Sequence, residues 1–271
     1  MGSFGPFSVK NRTIWVTGSS RGIGLGVGRH LLEQGACVVF HSRDKERLND
    51  QLSDLGGLPE VSAVYCDVRS PEEVRDAVAE IARTHGKLDG LVANVGGASS
   101  RAAAETEPAQ WAKMLELNLS ASFYCAQATR DLLAESEDGS LVIVGAVASF
   151  HPTPMFAGYG AAKAGVEHLV GSLAAEWGPE IRVNAVSPGL ILTEGSLTAV
   201  FGGSQDLADR AGVTTAVGRL GRPSDIALAC QYLLSPASAF VSGSVLKVDG
   251  GPVEGPTQRI MSAVNALKKS S

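Results

Sequence analysis

Tyr159 and Lys163 stand four residues apart in the stretch Tyr159-Gly160-Ala161-Ala162-Lys163. On a helix that spacing puts a phenol and an ammonium on one face, where the two can converge. A cation beside the ring favours the phenolate, so the pair is expected to bring the tyrosine pKa down towards the range of an acid/base catalyst. Upstream lies a glycine-rich run, Thr17-Gly18-Ser19-Ser20-Arg21-Gly22-Ile23-Gly24. Glycines at a strand-to-helix turn let backbone approach a pyrophosphate, and the helix N-terminus adds free N–H groups and positive potential. The spacing, G-x-x-x-G-x-G, is not G-x-G-x-x-G and alone is a weak signal. A proton relay downstream of a phosphate cradle implies hydride chemistry with a nicotinamide dinucleotide.

The end of the second predicted strand discriminates between dinucleotides. An NAD site usually places an acid about 20 residues beyond the glycines, on the ribose hydroxyl. Here the chain reads Phe40-His41-Ser42-Arg43. Ser42 takes the acidic position and can donate a hydrogen bond. Arg43 can pair with a 2′-phosphate, and Arg21 can add a second charge. Asp44 is read as the start of the next helix. These residues favour NADP(H) over NAD(H); the competing reading makes Arg21 and Arg43 solvated surface charges.

Such residues need a scaffold that brings distant segments together. Short apolar runs at 13–17, 36–41, 61–66, 88–93, 141–146, 181–187 and 244–248 read as strands, near-continuous enough to be covered on both faces. Helical spacing recurs between them, as in Val74, Ala77, Val78 and Ile81, and Ser70-Pro71-Glu72-Glu73 is a helix start. The alternation implies an α/β fold, a doubly wound parallel seven-stranded sheet of Rossmann type, in a single domain over 1–271. Residues 190–222 break the rhythm, with glycines at Gly195, Gly202, Gly203, Gly212 and Gly218. They read as an irregular lid over a ligand, with Leu197, Val200, Phe201 and Leu207 giving a partly apolar pocket. In the tail, 252–271, Ile260, Met261, Val264 and Leu267 suggest packing on the chain's own or a neighbouring subunit.

Composition narrows the classes. With 271 residues, 44% of them hydrophobic, the chain can bury a core, and a net charge of -5 gives no general attraction to nucleic acid or anionic membrane. No apolar run reaches the length of a membrane span, and residues 1–10 lack a signal-peptide pattern. Cys37, Cys66, Cys125 and Cys230 have no paired spacing, so metal and disulfides are not expected, and they read as buried thiols in a reducing cytoplasm. His30, His85 and His168 lack ligand spacing.

With these pieces together, residues 10 to 251 resemble the short-chain dehydrogenase/reductase family. The glycine run looks like its dinucleotide turn, Asp67-Val68 like its adenine-contacting pair, and Ala93-Asn94-Val95-Gly96 like its Asn-Asn-Ala-Gly motif with two changes. Tyr159 and Lys163 match the catalytic pair and Asn118 the helix asparagine. Pro188-Gly189 with Ile191 and Thr193 resembles the segment holding the carboxamide and phosphates, and Asp249-Gly250-Gly251 the usual ending. The resemblance implies that Tyr159 exchanges a proton with the substrate oxygen. Lys163 would bind the ribose and lower the tyrosine pKa, and Asn118 would hold a water linking Lys163 to solvent; Asn118 also reads as a helix-kink residue. It further implies a small-molecule substrate and a homodimer or homotetramer built on the helices carrying Asn118 and Tyr159.

One position departs from the pattern. The family places a serine or threonine thirteen residues before the tyrosine, and position 146 is Ala146. Losing a donor to a developing oxyanion costs on the order of 100–1,000-fold in rate. Ser149 or His151 is one candidate replacement. Reduction of a conjugated C=C bond is another answer, since one tyrosine can support an enolate oxygen. A dinucleotide-binding protein with weak or no catalysis is a third, and a reactive carbonyl substrate a fourth. Ala146 could also be an introduced mutation, although Gly145 beside it favours a natural departure. The expectation is an NADP(H)-dependent reductase of a small carbonyl compound, with C=C reduction the alternative.

Overall fold

The structure, a computed structural model, describes residues 5–55 and 58–251. Seven strands pair in parallel in the order β3-β2-β1-β4-β5-β6-β7. They are β1 (Thr13–Val16), β2 (Cys37–Ser42), β3 (Val61–Tyr65), β4 (Gly90–Ala93), β5 (Gly139–Val144), β6 (Ile181–Pro188) and β7 (Val245–Val248). Each expected strand is present, shifted at its ends by up to two residues. β1, β4, β5 and β6 are buried along their whole length, which is why they read as unbroken apolar runs.

Side chains alternate across the sheet. Trp15 enters one core with helices α3 (Pro71–His85), α5 (Ala121–Ala134) and α6 (Ala157–Trp177); Ile14 and Val16 enter the other with α1 (Gly22–Glu33) and, later in the chain, α9 (Pro223–Leu234). Ser70 starts α3 by accepting the Glu73 N–H at 3.3 Å, and Val74, Ala77, Val78 and Ile81 are its buried stripe. Between α2 (Lys45–Leu52) and α9 the chain also forms α4 (Pro108–Leu115), which runs through a π-helical turn, Glu116–Ser120, into α5.

Val16 lies beside both Phe40 and Val92, so the segments leaving β1, β2 and β4 emerge together. The strand order reverses between β1 and β4, and that switch point opens a crevice at the strands' carboxyl ends.

Residues 190–222 are irregular only in part, chiefly over 213–222. They hold α7 (Glu194–Phe201) and α8 (Gln205–Gly212), capped by Thr193 and Ser204. The glycines at 202 and 203, with φ of 58° and 84°, form the turn between two short helices. The expected apolar pocket is also corrected. Phe201 packs with Ala208, Leu220 and Leu197 in a small core of its own, while Val200 and Leu207 face outward. The tail at 252–271 lies outside the described residues. Among the described residues no helix is long and apolar enough to cross a membrane, and the four cysteines are free thiols, Cys37 only half-buried.

Candidate active site

A cleft of about 670 Å³ crosses the carboxyl ends of the central strands. The phosphate turn lines its middle through Gly18, Ser20, Arg21, Gly22 and Ile23. Gly24 lies behind it: a Cβ there would sit 2.4 Å from the Gly18 carbonyl oxygen and 2.5 Å from Asn94 Nδ2. Its smallness serves the packing of the turn, and it does not line the cleft. Arg21 is extended at the N-cap of α1 without a side-chain cap, and the first turn carries no acid. By contrast, α2 and α3 are capped by Asp44 and Ser70. The α1 N–H groups are therefore left for an anion, and the residues fit a dinucleotide diphosphate.

His41, not singled out from the sequence, underpins this turn. Its Nδ1 accepts the Gly18 N–H at 2.8 Å and its Nε2–H donates to the Cys66 carbonyl at 3.0 Å. Ser19 Oγ accepts the His41 N–H at 2.7 Å and donates to the Val16 carbonyl at 2.8 Å. Burial, opposed by the Cys66 bond and by Asp67, lowers the His41 pKa to about 4, so both ring nitrogens keep these roles at neutral pH. The only sequence signal was a histidine at the carboxyl end of β2.

At one end of the cleft lie Ser42, Arg43, Asp67 and Val68. Ser42 Oγ donates to Ser20 Oγ at 3.3 Å and accepts the Asp44 N–H at 3.0 Å. Asp44 starts α2 as expected, accepting the Arg47 N–H at 3.0 Å, and Arg47 adds a further cation to the lining. Arg69 grips Asp67, with Nη2 2.5 Å from Oδ2, and Arg43 reaches the same oxygen at 3.3 Å. The Arg69 guanidinium holds the Asp67 carboxyl well below the usual carboxylate range.

At the other end the cleft is lined by Asn94, Gly96, Tyr159, Lys163, Pro188, Gly189, Ile191 and Thr193. Asn94 Nδ2 donates to the Thr17 and Gly18 carbonyls at 3.0 and 3.3 Å, tying this wall to the phosphate turn. The Tyr159 hydroxyl has no hydrogen-bond partner among the described residues, and the residue lines the cleft. Lys163, 3% exposed, points its ammonium at the Val144 carbonyl at 2.8 Å and lies 5.9 Å from the Tyr159 ring centre. The expected lowering of the tyrosine pKa is not what the protein by itself produces. Burial raises Tyr159, and burial lowers Lys163 to about 8. The ammonium is held by a backbone carbonyl rather than by the phenol oxygen, so desolvation prevails over attraction.

Asn118 sits fully buried in the π-helical turn, outside the cleft lining. Its Oδ1 accepts the Gly97 N–H at 2.9 Å, while Nδ2 donates to the carbonyls of Gly97 and Met114 at 2.9 and 3.0 Å. A Cβ on Gly96 would meet Asn118 Oδ1 at 2.8 Å and Lys163 Nζ at 3.3 Å. Asparagine and lysine thus meet around a residue that has to be small.

Ala146 offers the cleft a methyl group. Neither expected substitute donor is placed to replace a hydroxyl there. The Ser149 hydroxyl is engaged by Glu167 and by the Ala146 carbonyl oxygen at 2.6 Å, and His151 is exposed; neither lines the cleft. Glu167 also accepts from Ser187 Oγ at 3.0 Å, joining β6 to the turn after β5.

Comparison with known proteins agrees with this geometry. The family model described as enoyl-(acyl carrier protein) reductase matches residues 18–252. The 3α-hydroxysteroid dehydrogenase of Mediterraneibacter gnavus is 32% identical over 246 residues, 89% of this chain and 97% of that one. The chain belongs to the short-chain dehydrogenase/reductase family. It is a single-domain oxidoreductase of that family, acting on small organic substrates. Among solved family structures, a gluconate 5-dehydrogenase from Burkholderia cenocepacia in complex with NADP and tartrate is 31% identical, with a TM-score of 0.82 over 90% of this chain and 96% of that chain. A 7α-hydroxysteroid dehydrogenase complexed with NADH and 7-oxo glycochenodeoxycholic acid is 28% identical, with a TM-score of 0.83 over 92% and 97%. Family membership therefore brings a nicotinamide cofactor without choosing between the two.

Proposed function

We propose that the protein is an NADP(H)-dependent reductase of a carbonyl group on a small organic molecule, with Tyr159 as proton donor. The observation that carries this reading is the unpartnered Tyr159 hydroxyl, one helical turn from buried Lys163, at the end of a cleft whose middle is an uncapped helix N-terminus. Ser42 in the ribose position, with Arg21, Arg43 and Arg47 nearby, supports the 2′-phosphorylated cofactor. The bound dinucleotide supplies the hydride. Tyr159 donates a hydrogen bond to the carbonyl oxygen and passes its proton there as charge develops. Lys163, largely protonated at neutral pH, stabilises the phenolate left behind. Asn118 keeps Gly96 and Gly97 in the bend that fronts Lys163. We extend the reading to a homodimer or homotetramer through the helices carrying Asn118 and Tyr159, α5 with the π-helical turn that leads into it and α6.

A second reading has its own support. With a methyl group at 146 and Ser149 engaged elsewhere, a single side-chain donor faces the substrate oxygen, which suits an enolate formed by adding hydride to a conjugated C=C bond. The enoyl reductase description of the family model points the same way. NADPH absorbance followed with matched ketones and enones separates the readings, and binding of NADPH without oxidation of any would leave a non-catalytic binder. Tyr159→Phe should lower kcat on the order of 1,000-fold while NADPH still binds. Full activity in that variant would remove Tyr159 as the donor.

A further inference from the structure

Beside the cleft lies a second cavity of about 270 Å³, bounded by the loop after β4, by α4 and by the turn leading into α6. Leu117 and Tyr159 line both spaces, so the tyrosine is a shared wall. The walls are largely apolar, through Trp111, Met114, Met155 and Phe156. The charge is of one sign: Arg69, Arg101 and Lys113 contribute, and no carboxylate lines the cavity. Arg69 is already held by Asp67, whereas Arg101 and Lys113 make no ion pair among the described residues. Arg101 and Lys113 are both exposed, so they set positive charge at the rim of a largely apolar recess in a chain of net charge -5.

We propose that this cavity selects carbonyl substrates that carry a carboxylate. Arg101 and Lys113 hold the anion, the apolar walls take a ring-sized body, and the carbonyl meets Tyr159. The volume, near the lower end of the roughly 300–1,000 Å³ usual for ligand pockets, suits a one-ring acid. Arginine's planar fork matches a carboxylate, and charge-assisted bonds beside apolar walls are stronger than in open water. The inference rests on the carbonyl-reductase reading and names its substrate class.

A matched pair tests it: 3-benzoylpropionate and its methyl ester, followed by NADPH oxidation. The acid should have a kcat/KM about tenfold above that of the ester, and the double variant Arg101→Gln/Lys113→Gln should bring the ratio near one. An equal kcat/KM for acid and ester in the unsubstituted protein overturns the proposal. A second readout needs no turnover. 4-Phenylbutyrate should quench Trp111 fluorescence saturably, with Trp111→Phe as the control, and the double variant should abolish the effect. If neither acid nor ester is reduced, the functional reading fails by itself. The quench still decides: saturable and lost in the double variant upholds the anion site, while no quench, or one the variant leaves unchanged, refutes it.

Discussion

Ala146 concentrates the functional question in one methyl group. With Ser149 engaged by Glu167 and the Ala146 carbonyl, neither it nor Ala146 adds a side-chain donor to the one proposed at Tyr159, where an oxyanion would use two. Ala146→Ser should raise kcat on a simple ketone by about 10- to 100-fold, measured by steady-state NADPH oxidation. A fall instead would favour C=C reduction. His41 makes a second prediction. Its folded pKa of about 4 lies below the ordinary 6.5, so the unfolded chain takes up a proton first as pH falls. Stability from the neutral ring is full above about pH 6.5 and is lost as pH falls through about 4, a difference of roughly 3 kcal/mol. His41→Gln, with no proton to gain there, should lose less Tm between pH 6.5 and 4 than the unsubstituted protein in calorimetric scans. Tyr159, Lys163 and the glycine turn were legible from residue type and spacing. The role of His41 was not, because its partners, Gly18 and Cys66, are 23 and 25 residues away.

Among the elements, the strands were the most readable, because four of them are buried on both faces and show it as unbroken apolar runs. The Ser70-Pro71 start of α3 was readable for a local reason, a cap and a fixed φ. Within 190–222 the two helices over 194–212 were missed. Helices of eight residues span barely two turns, too short for a clear period, and the glycines between them look like disorder of pattern when they are turns. The small core of the segment centres on Phe201, 8% exposed. Phe201→Ala should cost this segment about 3 kcal/mol, seen as earlier proteolytic cleavage within 190–222 before global unfolding.

Across the whole molecule, the candidate site and a cluster of largely buried ion pairs sit at opposite ends of the sheet. At the amino ends of the strands Asp138 joins Arg12, before β1, to Arg182 in β6, at 2.6 and 3.0 Å. Arg182 is nearly buried and also donates to the Leu233 carbonyl and to Ser238 Oγ. Asp138→Ala leaves two largely buried guanidiniums without their carboxylate. It should lower stability by about 3 kcal/mol in urea titrations, with kcat unchanged at temperatures where the variant stays folded. The sequence by itself determined the parallel sheet and the glycine turn and singled out Tyr159 and Lys163 as the proposed proton-relay pair, since each is written in a local run of residue types. Only the tertiary structure decided how the Ser149 hydroxyl is engaged, which way burial moves Tyr159 and Lys163, and that Arg101 and Lys113 share a recess with the catalytic candidate. Those outcomes depend on burial and on approach through space between segments far apart in the chain, and neither leaves a periodic trace in the order of residues.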